Sequence, residues 1–163
     1  MQNIYKTNRL ELMRLNLNDA EFIFELLNSE GWLKFIGDRN IKSTEDAQNY
    51  IQKIMDNPKI NYWVVRSGDE KIGMISFIKR DYLDHHDLGF AFLPDHSNKG
   101  FAYEAAEKVL KELLQDPDHK IILGTTKTDN RSSIKLLEKL GFQYIREIEN
   151  EGTMLSLYSI ESE

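Results

Sequence analysis

Between a strand-like run that stops at Pro94 and a strongly amphipathic helical stretch, the chain reads Ser97-Asn98-Lys99-Gly100-Phe101-Ala102. The first amides of a helix have no intrahelical partner and sit at the positive end of its dipole, so such a start is an anion site. Gly100 carries no Cβ and lets an anion approach the backbone, Ala102 is small, and Lys99 adds a positive charge. Phosphate suits this chemistry. The spacing is neither a Walker A loop nor Gly-x-Gly-x-x-Gly. Taken alone, it is equally the pattern of an ordinary glycine at a strand-to-helix turn.

A second polar group, His85 and His86 beside Asp84 and Asp87, has the residue types of a metal site. Adjacent strand residues point to opposite faces, so the two histidines do not converge on one ion, and no metal is expected. The chain has no cysteine, which excludes disulfides, thiolate ligands and a cysteine acyl-enzyme. Its net charge of −6 argues against sequence-independent nucleic-acid binding. No apolar run approaches the roughly 18 residues of a membrane span, and the N-terminus has no apolar signal region. A cytoplasmic protein is expected, with neither nucleic acid nor membrane as a partner.

The elements that must position these residues can be read along the chain. With 163 residues, 40% hydrophobic and 29% charged, it has the composition of one globular domain, 1–163. Arg9 to Leu15 reads as a strand with Leu10 and Leu12 on one face; Met13 and Leu15 fall in the opposite phase, which suggests a bulge. A helix follows from Asn18 as N-cap with Glu21 three residues on, and a second is capped by Ser43. Tyr62–Arg66 and Ile72–Lys79 form a hairpin around Ser67-Gly68-Asp69-Glu70.

Asp87–Leu93 is the next strand, followed by a helix from Gly100 to Gln115, with Glu104/Lys108 and Glu107/Lys111 as i, i+4 pairs outside. Lys120–Thr126 is a strand, Asn130–Leu140 a helix closed by Gly141, and Tyr144–Glu149 and Thr153–Ile160 the last strands. The expectation is an α/β domain on one mixed sheet of about seven strands flanked by about four helices. A right-handed crossover makes Asp87–Leu93 and Lys120–Thr126 parallel, with the Gly100 turn at the carboxyl end of the first.

Three segments in order, Asp87–Pro94, Lys99-Gly100-Phe101-Ala102-Tyr103-Glu104-Ala105, and Asp129-Asn130-Arg131-Ser132-Ser133 through Gly141-Phe142, resemble the GNAT acetyltransferase superfamily. More narrowly the chain is similar to the RimJ/RimL-type branch, the ribosomal-protein N-terminal acetyltransferases, from Thr7-Asn8-Arg9-Leu10 to the final strands.

The resemblance implies a fold, a cosubstrate and roles. Acetyl-coenzyme A is the acetyl donor, and the family's loop, Gln/Arg-x-x-Gly-x-Gly/Ala, binds its pyrophosphate through amides. Gly100 and Ala102 match, with Asn98, Lys99 and Phe101 in the same loop, whereas Ser97 stands in the Gln/Arg position. Phe92 and Leu93 pair their main chain with the pantetheine arm, and an amide near Phe92 stabilises the oxyanion. Asn130 matches the asparagine that holds the pantetheine.

Many members carry a tyrosine acid where Leu137 stands; the RimJ/RimL branch carries a serine at the position of Ser133. Serine is also an ordinary first-turn residue. Asp87 or His86 is the candidate to deprotonate an amine. Asp38 and Arg39 fall in the region that shapes the acceptor pocket, and Trp32, Phe35, Trp63 and Tyr82 belong to the core or the rim.

The expected reaction is direct attack of a neutral amine on the thioester in a ternary complex, the acceptor being a protein N-terminus or a small amine. An α-amine is about 10–15% neutral at pH 7 and a lysine amine about 0.04%, which favours α-amines where no dedicated base is visible. The alternative is an acyl-CoA-binding module without turnover, kept open by Ser97 and Leu137. A homodimer is also left open.

Overall fold

The computed structural model describes residues 1–96 and 99–163. Thirteen elements follow in chain order. Two short strands, β1 (Ile4–Lys6) and β2 (Glu11–Arg14), precede three helices, α1 (Ala20–Leu27), α2 (Glu30–Phe35) and α3 (Thr44–Met55). Strands β3 (Ile60–Ser67), β4 (Glu70–Ile78) and β5 (Asp87–Phe92) lead to helix α4 (Phe101–Leu113). Strand β6 (Ile121–Lys127), helix α5 (Arg131–Lys139) and strands β7 (Gln143–Asn150) and β8 (Thr153–Glu161) complete the chain.

The strands make one sheet in the order β1-β2-β3-β4-β5-β6-β8-β7. Every neighbouring pair is antiparallel except β5 and β6, which are parallel and joined through α4. The sheet thus has eight strands against about seven expected, and there are five α-helices against four. The additions are β1, of three residues, and α2, of six.

Each face of the sheet has its own core. On one side Trp63, Phe77 and Leu88 pack against Val109 and Leu113 of α4 and Leu137 of α5. On the other, Val64, Met74 and Leu93 pack against Ile23 and Leu26 of α1 and Ile51 of α3. This two-sided burial corrects the expected bulge near Arg9–Leu15. Leu10 and Leu12 enter the first core and Leu15 the second, while β2 keeps an unbroken register with β3. The irregularity lies instead between Val65 and Arg66, in the β3–β4 pairing.

Capping follows side-chain chemistry, shifted at one helix. Asn16, not Asn18, opens the first helical segment: its Oδ1 accepts from Asn18 N (2.8 Å), and Asp19 Oδ2 accepts from Asn16 N (2.9 Å). That capping box starts a short 3-10 turn which runs into α1. Ser43 caps α3 as expected, its Oγ accepting from Asp46 N (3.0 Å). Among the described residues no helix is long and apolar enough to cross a membrane.

Candidate functional site: a split between parallel strands

Antiparallel pairing alternates the direction of main-chain groups along a strand. Leu93 N donates to Ile72 O of β4 (2.9 Å), whereas His86 O accepts from Leu123 N of β6 (2.9 Å). By that alternation Phe90 and Phe92 turn both their N–H and C=O groups toward β6. Yet among the described residues β5 and β6 pair only at Asp87 against Leu123. Beyond that point the two strands leave a wedge, with the Phe90 and Phe92 main chain along its β5 wall. An extended ligand bearing amides can pair there as a strand does. The expectation for Leu93 is corrected: its N–H is used by Ile72 O, its C=O accepts from His96 N (3.0 Å), and its side chain is buried.

The β5 wall leads toward the start of α4. Gly100 is the N-cap with φ of +78°, a left-handed conformation that glycine adopts without a Cβ penalty. The first intrahelical bond runs from Glu104 N to Gly100 O (3.0 Å), so the helix itself offers no partner to the amides of Phe101, Ala102 and Tyr103. Lys99 and Gly100 are exposed, Phe101 and Ala102 half-buried. Ser97 and Asn98 lie outside the described residues.

Glu104 is not one half of a helix pair with Lys108. Its Oε2 pairs with Arg9 Nε at 2.7 Å, and its Oε1 accepts from Thr7 Oγ1 (2.8 Å) and Arg9 N (2.9 Å). Burial pushes its carboxyl up, but the hydrogen bonds from Thr7 and Arg9, with the Arg9 charge, together hold it below the usual value. Lys108 pairs with Glu112 instead, while Glu107 meets Lys111 as expected.

Asp87 stands where the wedge closes. It is 3% exposed, and both carboxylate oxygens accept from Arg80 Nε (3.1 and 3.2 Å), with Thr125 Oγ1 at 3.4 Å from Oδ2. Burial raises its pKa, and the Arg80 charge and hydrogen bonds offset this only in part. Beside Arg80 lie Tyr82 and Tyr62, and the Tyr62 hydroxyl is 3.5 Å from that of Tyr50. Burial, and then Tyr50, push the Tyr62 hydroxyl well above its usual range. Arg39 contributes its charge to the same group, whereas Asp38 accepts from Asn40 N (2.7 Å) in its own turn.

His86 stacks on the Phe77 ring, centroids 4.6 Å apart, with His119 edge-on at 4.9 Å. Burial lowers its pKa, helped by His119. His86 and Asp87 thus serve different surroundings. Trp32 and Trp63 are core residues, and Tyr82 is exposed.

At the carboxyl end of β6, Asn130 caps α5: its Oδ1 accepts from Ser133 N (3.3 Å). Ser133 is half-buried in the first turn, and Leu137, one turn on, is in the core with 1% exposure. The sequence missed Arg9, Arg80 and Thr125. Arg80 comes beside Asp87 only through the β4–β5 pairing, in which Ile78 faces Asp87. Arg9, which entered only as a strand boundary and in the resemblance, meets Glu104 across 95 residues, a spacing that announces no pair.

A model of the acetyltransferase (GNAT) domain matches residues 9–143. The chain belongs to the GNAT acetyltransferase family. It is 30% identical over 146 residues to the uncharacterized N-acetyltransferase YoaA of Bacillus subtilis, covering 86% of this chain and 82% of that one. A GNAT-family acetyltransferase structure from Bacillus anthracis superposes with a TM-score of 0.80 at 24% identity, over 98% of each chain. RimL, described as a ribosomal L7/L12 alpha-N-protein acetyltransferase in complex with coenzyme A, superposes with a TM-score of 0.85 at 14% identity, over 97% of each chain. The chain is therefore a GNAT N-acetyltransferase, and enzymes of this family use acetyl-CoA.

The residues present fit that cosubstrate. Main-chain groups of Phe90 and Phe92 face the wedge and would suit an extended arm bearing amides, and Gly100, without a Cβ, keeps the helix start clear as an anionic group would require.

Proposed function

We propose that this enzyme transfers acetyl from acetyl-CoA directly to a primary amine, an α-amine in preference to a lysine-like one. The observation that carries this reading is the split between β5 and β6, which offers a pairing edge inside the sheet and leads to an open helix start. Acetyl-CoA, when bound, supplies an acetyl group activated as a thioester. The Phe101 and Ala102 amides, with Lys99, hold its pyrophosphate; Phe90 and Phe92 hold the pantetheine arm, and the Phe92 N–H faces the developing oxyanion. Asn130 orients the arm through the side-chain amide that its capping carbonyl leaves over.

Ser133 donates the proton that the departing sulfur takes up. Asp87 has the amine-side role: burial raises its basicity, the direction a proton acceptor near neutral pH needs. The α-amine preference follows from the neutral fraction of the nucleophile, some two orders of magnitude larger for an α-amine than for lysine at pH 7.

The test is a panel of N-terminal peptides, polyamines and aminoglycosides, with acetyl-CoA, read by mass spectrometry and by thiol release. Acetylated peptide α-amines are the expected product. Turnover only with polyamines or aminoglycosides overturns the acceptor class. Coenzyme binding with no thiol released by any amine favours a binding module.

A further inference from the structure

The N-terminal segment before β2 reaches across to the start of α4 and grips it at four points. Thr7 Oγ1 and Arg9 N both donate to Glu104 Oε1, and Arg9 Nε donates to Glu104 Oε2. The fourth contact is on the turn itself: Arg9 Nη1 donates to Lys99 O (3.1 Å). The guanidinium lies 4.5 Å over the Phe101 ring, and Nη2 would stand 3.5 Å from a Cβ on Gly100. One planar, five-donor group thus spans residues 99, 100, 101 and 104, and Glu104 fixes its plane.

The Lys99–Gly100 peptide is planar and trans, so its C=O and N–H point in opposite directions. A donor that captures Lys99 O on one side therefore aims the Gly100 N–H to the other. We infer that Arg9, held by Glu104 and Thr7, is a positioning residue for the pyrophosphate loop: by binding Lys99 O it turns the Gly100 amide toward the phosphate. Left-handed glycine has little stiffness of its own, and the peptide before it is free to flip without such a hold. The inference rests on the proposed placement of the pyrophosphate at this turn.

The test compares two acetyl donors in the intact enzyme, acetyl-CoA and acetyl-pantetheine, which lacks the pyrophosphate and the phosphorylated adenosine beyond it, with Gly100→Val localising the difference to the turn. The wild type is expected to prefer acetyl-CoA in kcat/KM. Arg9→Met, which keeps the aliphatic stem over Phe101, is expected to lower that preference roughly tenfold, mostly through KM for acetyl-CoA, the scale of one charge-assisted hydrogen bond. Arg9→Lys keeps the charge without the fork and is expected to restore little of it.

Gly100→Val is the control for the site. If the wild type has the preference, Gly100→Val loses it and Arg9→Met retains it, the Arg9 inference is overturned and the placement stands. If neither the wild type nor Gly100→Val distinguishes the donors, both fall. An Arg9→Met enzyme that loses rate equally with both donors assigns Arg9 to general stability and also overturns the inference. Arg9→Lys, read the same way, serves if Arg9→Met does not fold.

Discussion

A Cβ on Gly124 would stand 2.7 Å from Leu137 Cδ2, so strand β6 and helix α5 meet there through a glycine and a leucine in direct contact. Leu137 is thereby committed to the core, at the position where many family members carry a tyrosine acid. In the proposed mechanism the proton for the departing sulfur comes instead from Ser133, one turn earlier on α5.

Ser133→Ala is expected to lower kcat about 10–100-fold and leave KM for acetyl-CoA nearly unchanged. A thiolate with pKa near 8.5 leaves tolerably well unaided, so the lower end of general-acid effects applies. The deficit should shrink as pH rises past the thiol pKa. Steady-state rates from pH 6 to 9 check both points, and a wild-type kcat throughout would leave Ser133 as a first-turn residue only.

Gly100→Val places a branched side chain at φ +78°, which costs about 1–2 kcal/mol of backbone strain, and fills the approach to the turn. Coenzyme A affinity by calorimetry should fall tenfold or more. Gly100→Asn tolerates the left-handed conformation better and should lose affinity with a smaller drop in Tm. Unchanged affinity in a folded variant would contradict the pyrophosphate assignment.

Asn130 separates into two halves, since its Oδ1 is occupied by Ser133 N. Asn130→Ala should lose the cap, about 1 kcal/mol, and raise KM for acetyl-CoA. Asn130→Asp keeps an equivalent cap but no amide donor, so KM should rise while Tm holds. If only Ala changes anything, and only in Tm, Asn130 is a cap and nothing more.

Asp87 yields a pH signature. Burial holds its carboxyl above the usual 3.8, so the folded chain keeps the proton to higher pH than the unfolded one. The stability this contributes is complete below about pH 4 and is lost as pH rises through the raised value. Relative to wild type, Asp87→Asn should therefore gain in Tm as pH climbs through that window. Its kcat/KM should fall about 10–100-fold, with the acid limb of the rate profile flattened. A profile that keeps its acid limb would remove Asp87 from the amine side.

Much of this was legible in the chain because long amphipathic elements announce themselves. Of the expected α4 stripe, Ala102, Ala105, Ala106, Val109, Leu110 and Leu113, all but the half-buried Ala102 are buried as the spacing requires. Short elements did not: α2 is six residues with Gly31 in it, and β1 is three residues whose pairing depends on β2. The site divided the same way. Its glycine turn and asparagine cap are local and readable, whereas the Arg80–Asp87 and Arg9–Glu104 pairs exist only after the sheet has formed.

The half-paired β5 makes the seam of the sheet a slot for secondary structure supplied from outside. Amide hydrogen exchange should be faster at Phe90 and Phe92 than at Gly89 and Ala91, whose main-chain groups face β4, and should slow when coenzyme A fills the seam. The same slot makes thermal stability follow ligand concentration, by about 2.7 kcal/mol at a hundredfold excess over Kd. On the proposed placement, the cosubstrate supplies the strand pairing that β6 leaves unmade beyond Asp87.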